Sequence, residues 1–310
     1  MLESKLSKFS EREFCLTTSS GSAGIITALR SLCLPWGAEV IMPSICCPAV
    51  LSAIQLAGYK AVFADVDIDS LCMGPSQVEE VLTENTRVIL AVHSLGRACP
   101  IEELELYAQE KGLYLIEDVC LAIGGNISGR PFGSFGDFSI YSFGYDKIID
   151  VGGGGALLTS NEQWYKNAKE FLEGNTFFTS FSEKRKTYVF SALTNLSEGI
   201  SVRYDNAVFL DKHLKGSKIR KLPLRSNGIY WRYACLFEGD RDSLVEEAGK
   251  EGIIISSHYR ALHPFRTGEA LVNAKEISDK VINFFVKKGT AKEYLNKVVE
   301  FMDQYGRNSC

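Results

Sequence analysis

Ser142-Phe143-Gly144-Tyr145-Asp146-Lys147, set between Gly133-Ser134-Phe135-Gly136-Asp137 and the four glycines Gly152 to Gly155, is the stretch that decides how this sequence folds. Phe138 to Phe143 is rich in aromatic and β-branched residues and has the length of a strand, and Lys147 follows it in a short turn. A lysine at the rim of a sheet, beside backbone that glycine lets approach closely, can shed water as a Schiff-base amine must. Most lysines are solvated surface charges, and the chain carries 34 Lys and Arg, so the weight falls on what surrounds this one.

Outward from that stretch, residues 14 to 160 alternate short apolar runs with helical patterns. Strands are expected at Val40–Met42, Ala61–Ala64, Val88–Val92, Tyr114–Glu117, Phe138–Ser142 and Gly155–Thr159, and helices at about 21–33, 47–57, 75–83, 101–111 and 161–173. This is the pattern of an α/β domain with a mostly parallel central sheet flanked by helices. The first helix repeats Ile25, Ile26, Leu29 and Leu32 at helical spacing, with Ser20 or Ser22 as its cap. Residues 174–200 are polar and aromatic by turns around Glu183-Lys184-Arg185-Lys186, and their conformation stays open between an excursion and a partner contact. From Arg203 a new order begins: a helix over 204–214, a strand over 229–237, a helix over 242–251, a strand over 253–256 and two closing helices. The expectation is a large domain over 1–202 and a smaller α+β C-terminal domain over 203–310.

A chain of 310 residues with 45% hydrophobic content is long enough for two packed domains. A net charge of −4 with no Lys/Arg block argues against nucleic acid. No apolar run approaches the roughly 18 residues of a membrane span, and Met1-Leu2-Glu3-Ser4-Lys5 opens no signal peptide, so no membrane contact and a cytoplasmic location are expected. The nine cysteines are odd in number, form no CxxC pair and sit mostly in apolar segments, which reads as reduced thiols filling the core. The four histidines are dispersed, so no metal site is expected.

Three elements carry chemistry. Thr17 to Gly24 feeds small hydroxylated and glycine residues straight into a helix, where free N–H groups and the helix dipole can cradle a phosphate, although such residues are also ordinary caps. Tyr114-Leu115-Ile116-Glu117-Asp118 is an apolar strand ending on two carboxylates; Asp118 would face the ligand crevice and Glu117 the other face, unless the acid only caps the next turn. Lys147 is the third. Pyridoxal 5'-phosphate needs this set: an anion site for its phosphate, a carboxylate for its pyridine nitrogen and an amine for its aldehyde.

The same residues carry a family resemblance. Ser20-Gly21-Ser22-Ala23, Ala38 to Ser44, Phe63-Ala64-Asp65-Val66-Asp67, Val92-His93-Ser94-Leu95-Gly96, Ile116-Glu117-Asp118, Gly133 to Asp137, and Ser142 through Lys147 to Ala156 follow in the order of the DegT/StrS-type nucleotide-sugar aminotransferases. Residues 14–173 resemble this pyridoxal-phosphate family of fold type I, and the rest does so more loosely, through Trp231-Arg232-Tyr233 and His258 to His263. The resemblance implies Lys147 as the catalytic amine, Asp118 on the ring nitrogen, and Gly21, Ser22, Ala23 and Ser142 on the phosphate. It also implies a homodimer, glutamate as amine donor, and a keto sugar on a nucleotide as acceptor, in the biosynthesis of polysaccharides or secondary metabolites. Cys47 stands where the family usually stacks an aromatic ring on the cofactor, Leu121 where it usually has a Gln, and residues 174–202 lack its Asn-rich loop. Those departures favour one alternative, a catalytically altered or regulatory paralogue; a sugar dehydratase of the same fold is a second, against which retention of Lys147 speaks. Arg232, His258, Tyr259 and His263 are candidate substrate contacts.

Overall fold

The computed structural model describes residues 1–216, 218–262 and 271–308. Its first part runs α1 (Leu2–Phe9), β1 (Phe14–Thr18), α2 (Gly21–Ser31), β2 (Glu39–Pro43), α3 (Pro48–Leu56), β3 (Lys60–Ala64), α4 (Pro75–Val81), β4 (Thr86–Val92), α5 (Ile101–Lys111) and β5 (Tyr114–Asp118). A two-stranded ribbon, β6 (Asn126–Ile127) and β7 (Arg130–Pro131), precedes β8 (Phe138–Ser142), β9 (Gly155–Thr159) and α6 (Glu162–Gly174). Then come α7 (Glu183–Ala192), α8 (Leu196–His213), β10 (Ile219–Lys221), β11 (Arg232–Phe237), α9 (Arg241–Lys250), α10 (Val272–Lys280), β12 (Val281–Phe285) and α11 (Lys292–Asn308).

Seven strands form one sheet in the order β1-β9-β8-β5-β4-β2-β3. The ladders from β3 through β2, β4 and β5 to β8 are parallel, while β9 runs antiparallel to both β8 and β1. The expected mostly parallel central sheet flanked by helices is what forms. Strand alternation divides its apolar residues between two cores. Val40, Met42, Val88, Leu90, Ile116 and Ile140 join Ile25, Leu29 and Ile54 of α2 and α3 on one face. Ile41, Ile89, Ala91 and Leu115 join Val78, Ile101 and Leu104 of α4 and α5 on the other. Each fully buried Ile or Leu contributes roughly 1.5–3 kcal/mol, which is why strands with both faces covered read as continuous apolar runs.

The C-terminal sheet, in the order β10-β11-β12, is antiparallel and packs with α8, α9 and α11 around its own core of Tyr233, Cys235, Leu244, Phe284 and Val298. Several elements differ from the sequence expectation, the short strands β6, β7 and β10 among them. β1 and α1 were not expected at all, residues 253–256 supply only an isolated bridge between Ser256 and Asn283, and β12 separates the two closing helices. Residues 183–202 are helical, and residue 203 lies inside α8 rather than at a break. Among the described residues, no helix is long and apolar enough to cross a membrane.

Glu117 is fully buried on the α5 side of β5. One carboxylate oxygen pairs with His93 Nε2 at 3.0 Å, and His93 Nδ1 accepts from Cys99 N–H, so His93 donates from Nε2. The other oxygen accepts from the N–H groups of Gly133 and Phe135 at 2.9 and 3.0 Å. Glu117→Gln turns an amide NH₂ toward one of these donors, and we expect a loss of about 1–3 kcal/mol in urea unfolding. A loss below about 0.5 kcal/mol, the size of an ordinary surface change, would contradict this role.

Candidate active site

Parallel strands joined by helical crossovers end at one edge of their sheet, and ligands bind in the crevice beyond those ends. The register brings distant parts of the sequence to that edge. Thr18 of β1 and Ser142 of β8 both pair with Gly155 of β9, and Asp118 of β5 pairs with Ile140 of β8. α2 starts at Gly21, just beyond β1, so its amino end, the Asp118 carboxylate and the turn bearing Lys147 share one rim.

Ser20 is the helix cap: its Oγ accepts from Ala23 N–H at 3.1 Å. That commits Ala23, whereas the N–H groups of Gly21 and Ser22 have no hydrogen bond among the described residues. A helix amino terminus with free N–H groups attracts anions. A Cβ on Gly21 would lie 2.8 Å from Cys120 Sγ and 3.1 Å from Ser142 Cβ, so only glycine lets the helix settle against both strands. Ser142 Oγ accepts from Gly144 N–H at 3.4 Å on the same rim.

Asp118 is buried, and its Oδ1 accepts from Cys120 N–H at 2.9 Å. The strand-end acid therefore does cap the next turn, with one oxygen; Oδ2 has no hydrogen bond among the described residues. Burial pushes the Cys120 thiol far above its ordinary value, the Asp118 charge adds to that rise and the Lys147 charge opposes it. Burial raises the Tyr259 phenol, and Cys47, Cys46 and Asp118 add to the rise.

The loop from Phe143 to Gly154 closes on itself: Phe143 N–H donates to Gly154 O, while Phe143 O accepts from Val151 and Gly153. Gly154 has φ +105° and packs where Phe181 would strike a side chain, which the glycine run allows. Lys147, half-buried on this loop, lines a cavity of about 660 Å³ with Cys47, Trp231, Arg232, His258 and Tyr259. The Trp231 and Tyr259 rings stack at 6.0 Å and 13° to form one wall. Burial, with the charge of Arg232 adding to it, lowers His258 below its usual value and favours its neutral form. Leu121, by contrast, is 5% exposed and belongs to the apolar core on the α5 side. His263 lies outside the described residues. Sequence reasoning passed over Asp146, which pairs with Arg232 beside the cavity; in the sequence it reads only as a turn residue before Lys147.

Residues 1–303 match the DegT/DnrJ/EryC1/StrS aminotransferase family. The chain belongs to this family. Among curated relatives, GDP-perosamine synthase of Escherichia coli O157:H7 is 32% identical over 54% of this chain and 46% of its own length, so the chain spans about half of that relative. dTDP-3-amino-3,6-dideoxy-alpha-D-galactopyranose transaminase of Aneurinibacillus thermoaerophilus is 23% identical over 98% of this chain and 89% of its own. Among solved structures, NtdA of Bacillus subtilis, determined with bound cofactor PMP, superposes with a TM-score of 0.88 at 23% identity, over 99% of this chain and 76% of that one. The fold is thus that of the aminotransferases.

Gly21→Ala tests the packing of the rim directly. The added methyl forces Cys120 and Ser142 apart, and a loss of about 1–3 kcal/mol in thermal or urea unfolding is expected. A gain, as helix propensity alone would give, would show that α2 does not press on the strand ends.

Proposed function

We propose that this protein is a pyridoxal-phosphate-dependent aminotransferase that moves an amino group, taken from glutamate, onto a keto carbon of a sugar carried by a nucleotide. The reading rests on one observation: in a chain of the aminotransferase family, Asp118 at the end of β5, the Lys147 turn after β8 and the unshared N–H groups of Gly21 and Ser22 at the start of α2 all lie at the same edge of the sheet. The residues fit the cofactor. The helix end offers donors for its phosphate, the rim around Gly21 is closed by Cys120 and Ser142, and Asp118 keeps one carboxylate oxygen for a positively charged partner.

When bound, pyridoxal phosphate supplies an aldehyde that exchanges amines and a ring that draws electrons from the reacting carbon. The chain supplies the rest. Gly21 and Ser22 N–H with Ser142 Oγ bind the phosphate, and Asp118 Oδ2 holds a proton on the ring nitrogen. Lys147 Nζ takes the proton from the donor's α-carbon. Trp231 and Tyr259 keep water from the cavity, and Cys47 in its lining gives a polarizable contact in place of an aromatic ring. A cytoplasmic homodimer completes this reading. Tyr145, 88% exposed beside Lys147, and Phe177, 84% exposed, are the apolar surfaces that support cover by a second copy.

Leu121 favours one rival, a catalytically altered paralogue, because it lies in the core and offers no hydrogen bond to the cofactor. Absorbance separates the two. Protein mixed with pyridoxal phosphate is expected to show a visible band that glutamate bleaches, and a keto-sugar nucleotide should then yield the amino sugar. Lys147→Ala should abolish the band and lower turnover by about 10²–10⁴-fold or more. Colour that glutamate leaves untouched would favour the paralogue, and a band that survives in Lys147→Ala would overturn the lysine assignment.

A further inference from the structure

Asp146, the residue before Lys147, has every polar group committed. Its N–H donates to Asp150 Oδ2 at 2.8 Å, and Trp231 Nε1 donates to its carbonyl. Its carboxylate accepts from Arg232 Nη2 at 2.6 Å through one oxygen and from Lys287 Nζ at 3.2 Å through the other. Trp231, Arg232 and Lys287 stand on or beside β11 and β12, so the C-terminal sheet grips the lysine turn at the residue next to the amine. Asp146 itself has φ +58°, a left-handed conformation that side-chain-bearing residues keep only when their surroundings impose it.

The grip is itself rigid. Arg232 is 5% exposed, and its guanidinium lies between the Trp231 ring at 4.3 Å and the Phe285 ring at 3.6 Å. Arg203 donates to the Trp231 carbonyl at 3.0 Å, which ties down the backbone that carries the indole. Asn283 meets Arg232 at 3.5 Å and donates to the carbonyl of His258 at 2.6 Å, linking the pair to the far wall of the cavity. Burial works against the Asp146 charge, but the hydrogen bonds and charges of Arg232 and Lys287 outweigh it and hold the carboxyl below its usual range.

Stability alone does not account for such a pair, since buried ion pairs are often replaced by apolar residues without loss. What a planar guanidinium clamped between rings supplies is direction. We propose that Asp146 and Arg232 are positioning residues: their part-buried pair fixes the backbone of the lysine turn, and with it the place of Lys147 Nζ in the cavity. The proposal rests on the reading of Lys147 as the amine that meets the cofactor aldehyde.

Stopped-flow absorbance after mixing with pyridoxal phosphate measures how fast Lys147 captures it, with thermal midpoints recorded alongside. Arg232→Met is expected to slow capture by about 10- to 100-fold. Arg232→Lys, which keeps a cation on Asp146, should recover part of that rate. The double variant Asp146→Asn with Arg232→Met also removes the carboxylate that Arg232→Met leaves to Lys287 alone, so it should regain thermal stability without regaining capture. Wild-type capture rates in both Arg232→Met and the double variant would overturn the proposal. If the wild-type protein takes up no pyridoxal phosphate, the functional reading fails by itself. Acetylation of Lys147 by acetic anhydride in the bare protein, read by peptide mass spectrometry against the other lysines, then decides the positioning role. A several-fold change in Arg232→Met supports it, and an unchanged rate overturns it.

Discussion

A carboxylate buried in one face of the sheet sets up the site on the other. Glu117 has no exposed surface, and an unpaired charge at that depth would cost several kcal/mol. It is held instead by His93 and by two N–H groups of the loop that leads into β8. Because neighbouring side chains of a strand point to opposite faces, sinking Glu117 sends Asp118 to the face that packs on α2 and carries Cys120. The same anchor holds Gly133 and Phe135, and Arg12 adds hydrogen bonds to the carbonyls of Gly133 and Gly136 at 2.9 Å. That loop delivers β8 in register, and β8 delivers Ser142 and the turn of Lys147.

Two adjacent acids therefore do different work. Glu117 saturates its oxygens with protein donors and acts on architecture, whereas Asp118 spends one oxygen on a turn and keeps the other at the rim. The amino end of α2 faces the same rim with a partial positive charge, and Arg232 from the C-terminal sheet stands beside Lys147 in the cavity. An electron-poor, anionic ligand suits that arrangement, and the cavity walls of Trp231 and Tyr259 suit its flat ring.

Much of this was legible in the residues. The parallel strands announced themselves as short apolar runs, and the Ser-Gly-Ser-Ala start of α2, the Glu-Asp strand end and the Lys147 turn each carried local chemistry. Other parts left no such trace. α7 buries only Val189, so it shows no apolar stripe, and residues 174–202 could not be read as helical. β12 lies between two helices as Val281-Ile282-Asn283-Phe284-Phe285, and that run alone does not distinguish a strand from a buried helix. The grip on Asp146 comes from residues 85 to 141 positions away, and nothing local marks a turn aspartate as the partner of a distant arginine.

A crystal structure of the protein grown with pyridoxal phosphate tests the central claim most directly. Continuous density from Lys147 Nζ to the cofactor, with the ring nitrogen on Asp118 and the phosphate at the N–H groups of Gly21 and Ser22, is the predicted result. A cofactor bound elsewhere, or one at the rim with Lys147 turned away and unattached, would contradict it.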